Sequence, residues 1–297
     1  MSQFQLSKGK KQEPEFMVIY GVEGIGKTTF ATDAEAPIII DVEGGSAEID
    51  TTRIESKDLK TLESVIAAIK HVQTLPEYKN IILDSLSKIE EVIWDAACKR
   101  KSVSGKSYKS IEDFGYKQGY IFCLDEWNLF LDACEEAREQ HGKGIILIGH
   151  SKTKKFDDPT LLEGYTRYEI DIHEKASARI RKYVKAILFA NYKTLVKDGK
   201  GLETGERLIM TERRPGHDAK NRYDLPYEIP LNWKSYQDIK KNSVVTAEAL
   251  IRQINGMITE VADEVTRGKI EELVKTETNI GTLRSYLGRV EEIITNQ

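Results

Sequence analysis

The chain has 297 residues, of which 40% are hydrophobic and 31% are charged, and its formal net charge is −4. This length allows one large domain or two, and the hydrophobic content is sufficient for a sizeable core. The negative charge excludes a protein that binds nucleic acid through an overall basic surface, so any such contact must come from local patches.

The first 14 residues lack the apolar core of a signal peptide and are predicted to form a flexible arm. No apolar run reaches the length of a membrane span. The three cysteines, Cys98, Cys123 and Cys134, form no CxxC pair and no zinc pattern, which indicates reduced thiols. These features predict a cytoplasmic protein with no membrane partner.

A phosphate-binding loop is predicted at Gly21 to Thr28, which has the sequence GVEGIGKT. The apolar run Phe16 to Tyr20 precedes it and predicts a buried parallel strand, and Thr29 to Thr32 can begin a helix. The alternative is a glycine turn followed by chance Lys and Thr, but strand, loop and helix together are the context that the motif requires. The predicted nucleotide-binding residues are Gly21, Val22, Glu23, Gly24, Ile25, Gly26, Lys27, Thr28 and Thr29.

Two of these residues have specific predicted roles. Lys27 should contact the β- and γ-phosphates of ATP, and the hydroxyl of Thr28 should bind magnesium. ATP and Mg²⁺ are therefore the predicted cofactors.

A second buried strand, Ile38 to Val42, is followed by Glu43, Gly44 and Gly45. Asp41 and Glu43 lie near its carboxyl end, where ligands bind in open α/β sheets. A carboxylate here would polarise the water that attacks the γ-phosphate. Alternatively, it would cap the following turn, and the sequence leaves these two roles evenly weighted.

Two further apolar strands end in polar residues. The run Asn80 to Leu83 ends at Asp84, which is the Walker B pattern whose aspartate holds magnesium. The run Ile145 to Ile148 leads to His150, which we predict to sense the γ-phosphate, the alternative being an ordinary hydrogen-bonded histidine.

Two basic segments with interleaved aromatic residues, Lys99–Tyr120 and Ser151–Tyr168, are predicted to be flexible or turn-rich. Cations suit phosphates and aromatic rings suit bases, so both segments are candidate contacts for single-stranded nucleic acid. The alternative is solvated loops beside core aromatics. The candidate DNA-binding residues are Lys99, Arg100, Lys101, Lys106, Lys109, Lys152, Lys154, Lys155 and Arg167.

The remaining pattern predicts a helix at Ile172–Tyr183, a strand at Ala186–Ala190 and a hairpin at Leu195–Leu208. A basic loop follows at Arg213–Arg222, and then an extended linker at Asp224–Trp233. The predicted domains are an arm at residues 1–14, an ATPase core at 15–233 and a helical domain at 243–297.

The ordered set GVEGIGKT, IIIDVEGG, IILDS and IILIGHSK resembles the ATPase core of RecA-like recombinases. It is most similar to the phage RecA-like single-strand annealing proteins and their relatives among small phage P-loop ATPases. The resemblance covers about Phe16 to Arg222. It implies an α/β fold with a mostly parallel sheet flanked by helices, to which this chain adds a small C-terminal helical region.

The same resemblance implies that Glu43 is the catalytic base, that Thr28 and Asp84 serve magnesium, and that His150 takes the polar sensor position. It also implies ATP at a subunit boundary in a homo-oligomer, either a ring or a filament. A neighbouring subunit would then supply a cation in trans, and the basic loop is a candidate source through Arg213, Arg214, Lys220 and Arg222. The alternative is a surface loop whose arginines pair with nearby carboxylates.

We find no N-terminal strand-exchange domain and no polymerisation motif, so we expect annealing or mediator activity. The predicted function is that of an ATP-dependent, single-stranded-DNA-binding recombination protein of a phage, with a single-strand-binding protein as a further partner. The alternatives are a replicative helicase or helicase loader, which shares this core, and a P-loop switch or kinase that does not contact nucleic acid.

Overall fold

The computed structural model describes residues 13–102, 107–157, 164–197, 200–242, 247–259, 261–275, 277 and 280–295. The predicted arm, apart from residues 13 and 14, and Lys106 lie outside these residues. The chain divides into two compact units, Met1–Gln237 and Asp238–Gln297.

The first unit is built on a sheet that has ten strands in the described residues, in the order β10-β8-β7-β1-β5-β4-β2-β3, with β6 paired to β5 and β9 to β7. The strands are β1 (Phe16–Gly21), β2 (Pro37–Asp41), β3 (Arg53–Ile54), β4 (Asn80–Asp84), β5 (Gly144–Phe156), β6 (Tyr165–Ile170), β7 (Ala186–Lys197), β8 (Lys200–Met210), β9 (Lys220–Asn221) and β10 (Glu228–Pro230). Its helices are α1 (Lys27–Thr32), α2 (Leu62–Val72), α3 (Leu86–Lys101), α4 (Gly119–His141) and α5 (Glu174–Tyr183). Helix α6 (Trp233–Asn242) begins in this unit and continues past Gln237, its last residue.

The centre of the sheet is parallel: β1 lies between β5 and β7, and β4 lies between β5 and β2. Every residue of β1 and β4 is buried. Helices cover the faces of such a sheet, which is why its strands are continuous apolar runs with no polar alternation. The predicted fold class, a mostly parallel α/β sheet flanked by helices, is confirmed.

Three local predictions differ from the structure. Helix α3 continues through Lys101, so Lys99, Arg100 and Lys101 are helical and do not begin a flexible loop. Basic residues in a last helical turn interact favourably with the helix dipole, which supports this longer helix.

The second difference is that the strand containing His150 does not end there. Strand β5 extends to Phe156 and pairs antiparallel with β6, from Ser151↔Ile170 to Phe156↔Tyr165. We call this pair the β5–β6 hairpin. The third difference is that the expected linker after Asp224 contains β10, which pairs with β8 and so belongs to the sheet.

The second unit contains helices α7 (Ala247–Ile258), α8 (Glu264–Lys275) and α9 (Ile280–Thr295). Its own apolar cluster is formed by Leu250, Ile254, Ile258, Val261, Val274, Leu283 and Val290. Apolar residues three and four positions apart produce this packing face. In the described parts of the chain, no helix is both long and apolar enough to span a bilayer.

Candidate nucleotide-binding site

The phosphate-binding loop, Gly21 to Thr28, joins the end of β1 to the start of α1. Gly26 has a φ of +105°, a left-handed conformation that residues with a Cβ rarely adopt. Gly21 is fixed for another reason: a Cβ placed there would lie 2.0 Å from the carbonyl oxygen of Ala190 on β7. The glycines of this motif therefore meet both a conformational and a packing requirement.

Lys27 is buried within this loop. Its Nζ donates hydrogen bonds to the carbonyl oxygens of Gly21 at 3.0 Å and Val22 at 2.9 Å. Burial lowers the pKa of Lys27, and the carboxylates of Asp84, Glu23 and Glu43 partly oppose this change. The ammonium is held by neutral carbonyls, which it would exchange for phosphate oxygens when a nucleotide binds.

Thr28 and Asp84 meet across the ends of neighbouring elements. The hydroxyl of Thr28 donates to Oδ2 of Asp84 at 2.9 Å. Burial raises the pKa of Asp84 to about 6, against the effect of the Thr28 hydrogen bond, and Glu43 and Asp41 raise it further. Removing a carboxylate from water disfavours its charged form, and a bound cation would restore it.

The oxygen donors of this pair fit Mg²⁺, which prefers oxygen ligands and commonly combines one or two protein ligands with substrate phosphates and water. A fully protein-built metal cage is not found among the described residues, where no three His, Cys, Asp or Glu side chains cluster suitably. Thr28 and Asp84 would therefore hold a magnesium ion together with the nucleotide.

Glu43 and His150 form a second pair at the same edge of the sheet. His150 Nε2 lies 3.0 and 3.2 Å from the two carboxylate oxygens of Glu43. Burial acts to raise the pKa of Glu43, but the nearby polar groups of Ser85 and His150 outweigh it, and the pKa is lowered. The side chain of Glu43 is 40% exposed, so it remains accessible to water.

Asp41 has a different environment from Glu43. One of its carboxylate oxygens accepts hydrogen bonds from the backbone N–H groups of Gly44 at 2.7 Å and Gly45 at 3.2 Å. The other accepts from the N–H of Ser46 at 3.0 Å and from its hydroxyl at 2.6 Å. Asp41 therefore caps the turn after β2, which was one of the two roles that the sequence left open. Of the two carboxylates, Glu43 is the one positioned to contact water.

Sequence reasoning missed Arg207. This residue of β8 donates from Nη1 to the carbonyl oxygen of Ile25 at 3.3 Å. The same nitrogen would lie 2.9 Å from a Cβ at Gly26. No motif surrounds Arg207, and only the pairing of β8 within the sheet brings it to the phosphate-binding loop.

The candidate DNA-binding residues of the β5–β6 hairpin differ in the contacts and the exposure of their side chains. Lys152 donates to the carbonyl oxygen of Ile172 at 2.7 Å, and Lys154 forms an ion pair with Glu174 at 3.0 Å. Arg167 is buried against the ring of Phe156, with 4.1 Å from its Cζ to the ring centroid. Lys155 is exposed.

The candidates near α3 and α4 also differ from one another. Arg100 forms an ion pair with Glu126 at 3.0 Å, and the ammonium of Lys101 lies 4.7 Å from the centroid of the Phe122 ring. Lys99 and Lys109 are exposed. Among the described candidates, several cations are therefore already engaged within the chain.

The candidates for a trans-acting cation lie in three different environments. The ammonium of Lys220 donates to the carbonyl oxygens of Arg181 and Val184 at the end of α5, so it is used within its own subunit. Arg213 lies over Phe156, with 5.6 Å from its Cζ to the ring centroid, and Arg214 lies over Tyr227 at 4.5 Å. Arg222 is exposed. Their role in trans stays a prediction.

Residues 13–223 match the AAA_24 family, which is described as an AAA domain. The chain belongs to the AAA_24 family. The matched residues include the phosphate-binding loop, Asp84, Glu43, His150 and Arg207, so the whole candidate site lies within the AAA_24 domain. The P-loop core predicted from the sequence is thereby supported at the level of the family.

Among solved structures, the AAA_24 chain is similar to the RadB recombinase, with 16% sequence identity and a TM-score of 0.38. That similarity covers 67% of this chain and 80% of the RadB chain. No curated protein matched the sequence.

Proposed function

We propose that this AAA_24 chain is an ATP-dependent, single-stranded-DNA-binding recombination protein of the annealing or mediator type, encoded by a phage. The ATPase part of this proposal is supported by the AAA_24 domain and by the contacts among Lys27, Thr28, Asp84 and Glu43. Lys27 would bind the β- and γ-phosphates, and Glu43 would orient the attacking water. Bound magnesium would neutralise charge on the phosphates.

The observation that carries the DNA part is the continuity of β5. The same strand bears His150, in contact with Glu43, and then continues into the β5–β6 hairpin with Lys155 at its exposed side. A ligand that moves the hairpin would move the residue that contacts the proposed catalytic base. Stimulation of ATP turnover by DNA is the expected result.

The hairpin also combines charge with aromatic surface. Phe156 lies beneath the guanidinium groups of Arg167 and Arg213, and Lys155 is its exposed neighbour in sequence. The backbone N–H of Tyr168 donates to the carbonyl of Gly216 at 2.9 Å, so the basic loop is held alongside β6. Cations beside aromatic rings suit a single strand, since the cations contact phosphates and the rings stack on bases.

Assembly is the third part of the proposal. Homo-oligomers, in a ring or a filament, would place ATP at a subunit boundary, where Arg213 or Arg214 of a neighbour would stabilise charge on the γ-phosphate. Mixing tests this directly. An Arg213→Ala protein that is inactive alone should regain partial ATPase with Lys27→Ala protein, because a mixed interface can pair intact parts.

The decisive experiment measures ATPase rate with and without single-stranded DNA, using Lys27→Ala as the inactive reference. We expect stimulation and a DNA affinity that falls steeply with salt, since phosphate contacts release counterions. The double variant Lys155→Ala, Arg213→Ala should reduce DNA affinity and flatten its salt dependence. The matched control is Lys57→Ala, Lys88→Ala, which removes two surface cations that pair with Glu55 and Glu91.

Two outcomes would favour the alternative functions. ATP-driven unwinding of duplex DNA would support a helicase role, and a loading factor would raise unwinding by a partner helicase. ATP turnover that DNA does not change, together with no DNA binding, would support a P-loop switch or kinase. A single-strand-binding protein, the further proposed partner, should change annealing rates if the mediator role is correct.

A further inference from the structure

Arg207 is a second cation at the phosphate-binding loop, besides Lys27. Among the described residues, the only polar contact of its side chain is the carbonyl oxygen of Ile25, at 3.3 Å. No carboxylate of the described residues forms an ion pair with it, although its neighbour Glu206 pairs with Lys193 at 3.0 Å. An exposed arginine held at a loop by one neutral acceptor retains most of its donors for another ligand.

The backbone of β8 directs this side chain. Arg207 pairs with Tyr192 of β7, and the register then shifts, so that Thr194 pairs with Glu203. Gly205, within the irregular stretch, has a φ of +76°. Such bulges bend one strand and change the direction of a side chain, and they often occur beside binding sites. The irregularity lies immediately before Arg207 and so sets where its guanidinium points.

The negative charge around the phosphate-binding loop favours a second cation at the site. Three carboxylates, those of Glu23, Glu43 and Asp84, interact electrostatically with Lys27. Magnesium-bound ATP is itself negative, so Lys27 alone would face a surplus of negative charge. Arg207 would reduce this surplus on the side of the loop that Lys27 does not cover.

The order of the strands indicates which part of the nucleotide Arg207 would meet. Asp84, on β4, lies on one side of β1, with β5 between them, whereas β8 lies on the other side, with β7 between. Thr28 and Asp84 would hold the magnesium, which would neutralise charge near the phosphate that is cleaved, so Asp84 marks the γ-phosphate end of the site. Arg207 is therefore on the side of the α-phosphate and the sugar.

We infer that Arg207 binds the α-phosphate of the nucleotide held by the phosphate-binding loop of its own subunit. This inference rests on the proposed nucleotide binding at that loop. ATP and ADP share the α-phosphate, so Arg207 contributes to the affinity for both and does not act on the phosphate that is cleaved.

A purely structural role, in which Arg207 only braces the Ile25 carbonyl, gives a different pattern among variants. Gln at this position can still donate a hydrogen bond to a carbonyl but carries no charge, whereas Lys keeps the charge. Under our inference Arg207→Lys retains more nucleotide affinity than Arg207→Gln. Under the bracing role Arg207→Gln retains at least as much.

The test measures ADP and non-hydrolysable ATP binding by calorimetry, together with kcat and KM, for wild type, Arg207→Ala, Arg207→Lys and Arg207→Gln. Lys193→Ala is the matched control, because it removes another cation from the same pair of strands. Thermal unfolding without nucleotide checks that each variant is folded.

For Arg207→Ala we expect the dissociation constants for ADP and ATP to rise by the same factor, roughly 10- to 100-fold, as for a lost hydrogen bond to a charged group. We expect KM to rise with kcat retained. Unchanged affinity, a loss confined to ATP, or equal binding by the Gln and Lys variants would overturn the inference alone. Absence of nucleotide binding in wild type would instead overturn the proposed site, and this inference with it.

Discussion

Replacing Asp41 and Glu43 one at a time should separate a residue that holds the site together from one that acts on water. In Asp41→Asn, one oxygen remains to accept from Gly44 and Gly45, but an NH₂ group replaces the oxygen that accepts from Ser46. A buried N–H of Ser46 would then face another donor. Asp41 is only 3% exposed, so water cannot readily satisfy that group.

The expected cost follows from these contacts. Hydrogen bonds to a charged group contribute about 1.5–3 kcal/mol, and a buried polar group left unsatisfied costs about 1–3 kcal/mol. Because the two effects overlap, Asp41→Asn should lower the free energy of unfolding by roughly 2–4 kcal/mol. Glu43→Gln alters a side chain that is 40% exposed. Its effect on stability should stay within about 0.5 kcal/mol.

The assays are urea unfolding and single-turnover ATP hydrolysis at a temperature where both variants are folded. Glu43→Gln should bind ATP normally and hydrolyse it about 10²–10⁴-fold more slowly, as for a lost general base. It should also trap the ATP-bound protein on DNA. Asp41→Asn should lose stability with a smaller loss of rate. If Asp41→Asn unfolds like wild type yet loses turnover, while Glu43→Gln remains active, the two roles are reversed.

Three further predictions concern the loop and the core. Lys27→Ala should abolish hydrolysis and sharply weaken ATP binding in a folded protein, and wild-type turnover would contradict the site. Gly21→Ala places a Cβ 2.0 Å from the Ala190 carbonyl oxygen. It should therefore lower the free energy of unfolding, measured in urea, by about 1–3 kcal/mol and weaken nucleotide binding. An unchanged protein would refute this packing. Burial raises the pKa of Glu90 from 4.5 to about 7, despite the hydrogen bond from the His173 N–H, so the folded state binds this proton more tightly than the unfolded state. Glu90→Gln should therefore raise the free energy of unfolding at pH 8 by up to about 3 kcal/mol. This gain should vanish as the pH falls to about 4.5. A gain that is independent of pH would contradict the argument.

The main features of the fold were predictable because the chain carries two strong signals. Buried parallel strands are unbroken apolar runs, as in β1 and β4, and glycines mark the loop that follows β1. Asp84, Glu43 and His150 were each expected at a strand end, and their proximity follows because parallel strands end at one edge of the sheet. The evenly weighted choice between Asp41 and Glu43 required coordinates, because hydrogen bonds to the turn distinguish them.

The structural features that the sequence did not indicate depend on pairing between segments that are distant in the chain. The residues of β5 after His150 are polar and basic, and only their pairing with β6 makes them a strand. Strand β10 exists because β8 offers it a partner. Arg207 lies in an ordinary polar stretch, and its contact with Ile25 depends on the register of β8.

The position of β1 in the sheet also has a consequence for how the protein is made. Phe16 pairs with Ile145 and Met17 pairs with Ala186, so β1 leaves the ribosome long before either partner strand. Until both partners are synthesised, β1 is an apolar strand with unpaired backbone groups along both edges. An incomplete chain in this state is prone to aggregation. Nascent chains that stop before Ala186 should depend on chaperones and should not bind nucleotide, whereas chains released after β10 should have a complete sheet.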